Sequence, residues 1–351
     1  MMHGAVRTEG NTPSLGWDAV DSHLGSMPEV RSLDAELPQR CVEILTSGSD
    51  APGRRIELAV RPYRLEITPR SGAVRLAGDE VAVTLAAKMM EQIGAALRAT
   101  GRADEALINA TAAAVIQNAL KHELSYNLAG LRSTLRPMSL SQAAFMNAML
   151  FSPRSLIFGV GPTGTGKTHL AIAAGLNQVA ELRFKSLVIT RPHVRLEGEI
   201  MTPELRAETA YGEQLTPIED ELHALIGRED TRRRIEKGLI EIVPLGRMRG
   251  RTFNETFVVV DEAQNMTVRK MRMAVTHLGR GSRMVVTGDP VQNDLPSGET
   301  SGLAHLLGMI AGTDLAVVHQ FQNIEIIRND LVARIEMLYS REDGVGIPAA
   351  A

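Results

Sequence analysis

The residues richest in chemistry are Gly161-Pro162-Thr163-Gly164-Thr165-Gly166-Lys167-Thr168. Glycines at this spacing let a short loop curl until its backbone N–H groups face one point, and a helix starting behind the loop adds the positive end of its dipole. That is a cradle for a polyphosphate. A lysine after the last glycine can reach the β- and γ-phosphates, and the threonine after it can ligate Mg²⁺. The pattern carries weight only with a strand before it and a helix behind it. Both are present: Ser155 to Val160 is an unbroken apolar strand, and Thr168 to Leu182 reads as a helix. The expected ligands are ATP and Mg²⁺.

A second block, Phe257-Val-Val-Val-Asp261-Glu262-Ala263-Gln264, is an apolar strand ending in adjacent acids. In an open α/β sheet such acids leave the same edge as the phosphate loop. Asp261 then holds the metal shell, and Glu262 orients or deprotonates the attacking water. A helix cap followed by a dipole-favoured acid is the competing explanation, and the shared sheet favours catalysis over it. Met284-Val-Val-Thr287-Gly288-Asp289-Pro290-Val291-Gln292 ends a third strand. There Thr287, Asp289 and Gln292 could sense the γ-phosphate, although Gly-Asp-Pro alone reads as a turn. Gln142 has two readings: its amide could read the N6 and N7 edge of adenine, or Ser139 and Gln142 form an S-x-x-Q capping box. Phosphoryl transfer also profits from a cation on the leaving oxygens. Arg247, Arg249, Arg251 and Arg328 are candidates for it, each with a solvated surface charge as the alternative. The run Arg232-Arg233-Arg234 reads as helix surface.

These groups need a scaffold. From Ser139 onward the chain alternates strands with helices: Ser186 to Thr190, Ile240 to Val243, Phe257 to Val260, Met284 to Thr287 and Leu315 to Val318, then a helix from Glu325 to Tyr339. Continuous β-branched runs suit an α/β fold with a mostly parallel sheet covered on both faces. Residues 1–40 show no period and read as a disordered tail, with a turn of helix near Ser32 to Leu37. Residues 41–130 form a small α+β module. It has alternating strands at Arg55 to Val60, Tyr63 to Ile67 and Ala73 to Ala77, and a turn at Pro69 to Gly72. A helix from Asp79 to Gly101 carries Val81, Leu85, Met89, Ile93 and Leu97 at steps of four. A second helix carries Ile108, Ala112, Val115 and Ala119. Leu131 to Pro137 is a linker, residues 139–340 are the catalytic domain, and 341–351 are a frayed end.

Composition narrows the classes further. The chain has 351 residues, with 38 Lys+Arg against 41 Asp+Glu for a net charge of −3, which argues against a surface wholly devoted to nucleic acid. Aromatics at 3% exclude a row of base-stacking rings. The single cysteine, Cys41, excludes a disulfide scaffold, and no apolar run is long enough for a membrane span. The expectation is a soluble cytoplasmic protein with no membrane partner.

Taken together, Gly159 to Thr168, Thr190-Arg191-Pro192, Pro244 to Thr252, Asp261 to Asn265, Thr287 to Leu295 and Ser301-Gly302-Leu303 resemble the phosphate-starvation-inducible PhoH-like ATPases, a branch related to superfamily 1 helicases. The resemblance runs from about Ser139 to Tyr339. It implies a single RecA-like P-loop core that binds ATP through Gln142, the phosphate loop (Walker A), the acid strand (Walker B) and the Gly-Asp-x-x-Gln block. It also raises Gln142 from cap to adenine reader, and puts Thr190-Arg-Pro192 where helicase relatives touch a nucleic-acid strand. The N-terminal module looks like the KH-like region of some family members.

There are departures. Val194 to Tyr211 lacks the family's Gly-Phe-Leu-Pro-Gly, Asn329 follows Arg328 in place of histidine, and the small module has no G-x-x-G loop. The expected activity is Mg²⁺-dependent ATP hydrolysis coupled to single-stranded RNA. A lone core needs a neighbour's arginine, Arg251 or Arg328, so a homo-oligomeric ring, hexameric in form, is expected. The alternative is a nucleotide-gated scaffold that recruits a ribonuclease and turns over slowly.

Overall fold

The computed structural model describes residues 30–37, 39–46, 52–100, 105–192, 216–292, 295–296 and 298–322. The chain divides into two compact units, residues 1–125 with 136–144 and residues 126–135 with 145–351.

The first unit runs β1 (Val30–Glu36), α1 (Gln39–Thr46), α2 (Pro52–Ala59), β2 (Leu65–Arg70), β3 (Ala73–Asp79), α3 (Glu80–Thr100) and α4 (Glu105–His122). Its antiparallel sheet has the order β1-β3-β2, so β3 is central, and its Val74 and Leu76 are fully buried. The step of four along α3 places Leu85, Met89, Ile93 and Leu97 in the core. Two expectations are corrected here. The tail assigned to residues 1–40 contains β1, which pairs with β3 from Val30↔Asp79 to Glu36↔Ala73. Its partner lies some forty residues away, so no local period announces it. Arg55 to Val60 is not a strand: Arg55 to Ala59 lie in α2, and Val60 begins the turn after it. Ile56 and Val60, four apart, are both fully buried, while Leu58 between them is exposed. The burial therefore follows the helical spacing, not the alternation.

Helix α5 (Leu140–Phe151) is shared between the units. The second unit continues with β4 (Leu156–Val160), α6 (Lys167–Ala180), β5 (Ser186–Thr190), α7 over residues 216–226, α8 (Arg228–Glu236), β6 (Ile240–Ile242), β7 (Thr256–Val260), α9 (Val268–Thr276), β8 (Arg283–Gly288), α10 (Gly302–Ile310) and β9 (Val317–Gln320). The six strands lie in the order β6-β5-β7-β8-β4-β9, and every pair is parallel. β8 stands between the phosphate-loop strand β4 and the acid strand β7, the arrangement of a RecA-like core. Alternate strand residues feed opposite cores. Ile157, Leu187, Ile189, Val259 and Val285 pack with α5, α6 and α7. Phe158, Val160, Val188, Val258, Val260 and Val286 pack with α9 and α10. Burial on both faces is why these strands read as unbroken apolar runs.

The linker expected at Leu131 to Pro137 is instead largely folded into this unit. Tyr126 and Leu135 form an antiparallel bridge, and Leu135 is buried in the core beside α6. A linker motif of arginine and proline says nothing about whether a leucine beside it finds a core. The helix expected from Glu325 to Tyr339 lies outside the described residues. Among the described residues, no helix is long and apolar enough to cross a membrane.

Under the phosphate loop lies a ring cluster. His319 stacks on Phe145 at 5.7 Å between centroids and meets Phe321 edge-on at 4.8 Å. Gly159 has no room for a side chain, since a Cβ there would come within 2.4 Å of the Phe145 ring. The Nε2 of His319 is buried without a hydrogen-bond partner, and burial lowers its pKa to about 4. An unfolded histidine takes up its proton near pH 6.5, whereas the folded one stays neutral down to about 4. Stability from this site is therefore complete above pH 6.5 and falls as the pH drops toward 4, by roughly 3 kcal/mol over the window. Urea unfolding across that pH range measures the loss, and His319→Leu should remove this share of it.

Candidate nucleotide site

The site forms where β4, β8, β7 and β5 end. Parallel pairing brings these ends level: Val160 is opposite Gly288, Val260 opposite Val286, and Thr190 opposite Val260. Beyond β4 the chain turns through Gly161 to Gly166 into α6. Gly161 has φ 136° and lies against Phe321, where a Cβ would meet the carbonyl oxygen at 2.5 Å. Gly166, with φ 82°, caps α6 in the left-handed conformation. Only glycine adopts these geometries without strain. Thr165 Oγ1 donates to Pro162 O at 3.0 Å and closes the loop.

Lys167 folds over this loop. Its Nζ donates to Gly161 O at 2.7 Å, Pro162 O at 2.6 Å and Thr165 Oγ1 at 3.2 Å. Burial pushes its ammonium below the usual lysine range, while the carboxylates of Asp289, Glu262 and Asp261 oppose the shift. A buried cation facing three acids is primed for an anionic ligand that brings several oxygens at once.

Asp261 is the fixed point of the acid strand. Its backbone N–H donates to Thr190 O at 2.9 Å, and its carboxylate is buried. Two hydroxyls converge on its Oδ1: Thr168 Oγ1 donates at 2.6 Å and Thr287 Oγ1 at 2.7 Å. Mg²⁺ prefers oxygen ligands and keeps several waters. A buried carboxylate beside the Thr168 hydroxyl fits such an ion, with Thr168 and Asp261 as the protein oxygens that would hold it.

Glu262 is held differently. Its backbone is left-handed, φ 52° and ψ 41°, which costs a non-glycine residue about 1–2 kcal/mol. Arg191 Nη2 lies 3.2 Å from Glu262 Oε1, and Gln264 Nε2 donates to Glu262 Oε2 at 2.5 Å. Gln264 is the hub of this corner. Its Oε1 accepts from Asp289 N at 3.1 Å, and its carbonyl accepts from Ser301 Oγ at 2.9 Å. Across the edge, Thr163 Oγ1 donates to Gln292 Oε1 at 3.1 Å, joining the phosphate loop to the Gly-Asp-x-x-Gln block.

The structure thus brings Gly161 to Thr168, Asp261, Glu262 and Gln292 to one sheet edge. Gln142 makes one half of the capping box: its N–H donates to Ser139 Oγ at 3.2 Å, while its Oε1 accepts at 2.8 Å from Met138 N, one residue ahead of the N–H that a full box would use. Arg251 is elsewhere, in a two-pronged pair with Glu241 at 2.7 Å per contact and over the Phe253 ring at 4.9 Å. Glu241 is on β6, four strand positions from β4, or about 19 Å at the usual interstrand spacing. Arg328 lies outside the described residues. In the Arg232 to Arg234 run, Arg233 and Arg234 pair with Asp230, and Arg232 lies 3.8 Å from Glu236. Sequence reasoning assigned no role to Gln264 or Ser301 and no partner to Arg191. All three lie in segments that carry the family resemblance, and that was their signal.

A glycine cradle at a helix start, a Lys-Thr pair, and an acid strand one strand removed define a P-loop nucleotide-binding ATPase core. The family model described as PhoH-like protein matches residues 134–340. The chain belongs to the PhoH-like family. It is 31% identical over 295 residues to the PhoH-like protein of Bacillus subtilis (strain 168), covering 82% of this chain and 91% of that one. With the PhoH-like protein of Mycobacterium tuberculosis (strain ATCC 25618 / H37Rv) it shares 30% identity over 329 residues, 92% of each chain. With Protein PhoH of Escherichia coli (strain K12) it shares 30% over 212 residues, 60% of each. Among solved structures, the SWI2/SNF2 ATPase core of Sulfolobus solfataricus in complex with dsDNA overlays at a TM-score of 0.34 and 16% identity, covering 55% of this chain and 46% of that one. That overlay contributes nothing to the assignment.

Thr287→Val keeps the shape of the side chain but takes one hydroxyl from the buried Asp261 carboxylate. Stability should fall by about 1–3 kcal/mol in urea unfolding. The Mg²⁺ concentration needed for half-maximal nucleotide binding should rise.

Proposed function

We propose that this protein is a Mg²⁺-dependent ATPase acting on single-stranded RNA. The observation that carries the hydrolytic reading is the meeting of Thr168 and Thr287 on Asp261 beside Lys167 and Glu262. In this reading the loop N–H groups and Lys167 bind the β- and γ-phosphates, the lysine exchanging loop carbonyls for phosphate oxygens. Mg²⁺ supplies neutralisation of phosphate charge when bound. Glu262 orients the water that attacks the γ-phosphate and accepts its proton. Gln292, tied to Thr163, reports the state of the loop.

Among the described residues the arginine at this edge, Arg191, is paired with Glu262. The placement of Arg251 across the sheet supports a ring, hexameric in form, in which Arg251 or Arg328 of one copy serves a neighbouring copy. Two features of the N-terminal unit support RNA as the object. Its β-α-α-β-β-α order around a three-stranded antiparallel sheet fits a KH-like module. A cleft of about 490 Å³ beside α2 and β2 is lined by Arg54, Arg61 and Arg64 together with Glu57 and Glu66, Arg54 being paired with Glu57 and Arg64 with Asp79. Guanidinium groups suit phosphodiesters. A slow, nucleotide-gated scaffold that recruits a ribonuclease is the second reading. It is favoured by the engagement of both Glu262 oxygens. Burst and steady-state ATPase rates, with and without RNA, separate the two.

Lys167→Ala should abolish turnover, and Glu262→Gln should bind ATP normally while slowing hydrolysis at least about a hundredfold. Free phosphate release and fluorescent-nucleotide titration check both, and full activity in either variant would sink the assignment. Gln142→Ala separates two roles. If Gln142 reads adenine, the variant loses preference for ATP over GTP. If it only caps α5, it loses about 1 kcal/mol of stability with its preference intact.

A further inference from the structure

Helix α9 is charged against its own local physics. Arg269 and Lys270 stand in its first turn, which holds no acid, at the end where the helix dipole disfavours cations. Arg272, three residues after Arg269, adds a like charge to the same side of the helix. All three are exposed, and none of them makes an ion pair among the described residues. The inner side of α9 buries Met271 and Ala274 in a core shared with Leu245 and Met248. Those two come from the short turn of helix Leu245–Met248, which leaves Arg247 and Arg249 exposed. Arg251 belongs to this side too, over the ring of Phe253, another member of that core. α10, the other helix packed here, contains no acid. This side of the sheet is basic.

The other side carries the complement. α7 packs Ile218, Leu222, Leu225 and Ile226 into the opposite core, and Glu219, Asp220 and Glu221 succeed one another along it. Asp220 is exposed and the other two are half-buried. Glu221 is held by His169 Nδ1 at 2.7 Å, and His169 follows Thr168, so α7 stands beside the first turn of α6. Glu219 and Asp220 have no ion-pair partner among the described residues. In the adjoining α8, Arg233 and Arg234 pair with Asp230, and Arg232 lies near Glu236.

We propose that the α9 side of one copy docks on the α7 side of the next, so that copies of this chain join head to tail through opposite charge. This rests on the reading of the core as one member of a ring. A two-fold contact would set α9 against α9 or α7 against α7, and bring like charges together. A head-to-tail contact sets α9 against α7 at every junction and continues until the assembly closes. With a net charge of only −3, whole chains repel weakly while the two sides attract. The contact also carries Arg251 of one copy toward its neighbour's α7, and so toward the start of the neighbour's α6.

The test follows the full chain with Mg²⁺ and ATP by sedimentation velocity and phosphate release, at low salt where surface charges are least screened. Wild type should sediment as an assembly. Reversal on α9 (Arg269→Glu with Arg272→Glu) and reversal on α7 (Glu219→Lys with Asp220→Lys) should each give monomers. Turnover per chain should drop at least about tenfold in both, for want of the neighbour's arginine. Mixed one to one, the two reversed chains present opposite charges at every junction, so assembly and turnover should return. A single chain with all four substitutions should assemble as well. Reversed chains that stay assembled overturn the charged contact and leave the ring standing. Chains that separate and reassemble neither on mixing nor in the fourfold variant overturn the pairing of α9 with α7. Should a reversed chain misfold, Arg269→Gln with Arg272→Gln takes its place, and undiminished assembly there overturns the contact. An α9 reversal that loses single-stranded RNA binding but keeps its assembly gives the basic side to nucleic acid instead. A wild type that is monomeric at every concentration overturns the ring itself, and this contact with it.

Discussion

One carboxylate oxygen, Oδ1 of Asp261, receives hydroxyls from the start of α6 and from the end of β8. Three stretches of chain, centred on Thr168, Asp261 and Thr287, meet at that atom. Their meeting depends on β8 lying between β4 and β7 and on strand ends that finish level. A register slip of one residue in β7 would turn Asp261 to the other face of the sheet and leave both hydroxyls without it. The field on Lys167 has the same dependence, since Asp289, Glu262 and Asp261 reach it from the ends of β8 and β7. The meeting of the two hydroxyls on Asp261 and the state of the lysine are both consequences of strand register.

Register of this quality requires a rigid base. The sheet has one, because alternate residues of every central strand enter separate apolar cores on its two faces. The phosphate loop rests on Phe145, His319 and Phe321, packed so closely that Gly159 and Gly161 have no space for a side chain. Groups that must be placed to within a fraction of an ångström belong on such a base. The cost is an imidazole kept neutral in the cluster, which ties the stability of the loop's floor to pH.

On this base the edge carries one buried acid, Asp261, and one that is partly exposed, Glu262. Asp261 is held by two hydroxyls on Oδ1 and by its own N–H on Thr190 O. Glu262 sits on a left-handed residue in contact with two side chains, and it is reached by solvent. The neighbouring β5 end supplies Arg191, whose Nη2 lies 3.2 Å from one of the Glu262 oxygens.

The catalytic unit was readable in the sequence to a large extent. Its apolar runs became strands because burial on both faces demands continuous apolar residues, and the Gly161 to Thr168 pattern lies between the strand and the helix that its spacing requires. The N-terminal unit was less readable. An alternating run at Arg55 to Val60 folded as a helix once Ile56 and Val60 found the same core, and Val30 to Glu36 became a strand only because β3 supplied the other half of its ladder. Ser139-x-x-Gln142 left two readings open, and of the two capping bonds the one from Gln142 N–H to Ser139 Oγ formed. What the sequence by itself determined was whatever depends on neighbours along the chain: the phosphate loop, the acid pair and the period of burial. What only the tertiary structure decided was which strand stands between which, that Thr287 shares Asp261 with Thr168, and that Arg191 grips Glu262. Those are contacts between chain segments far apart in sequence, and hydrogen-bond pairing between remote strands leaves no spacing for a linear reading to find.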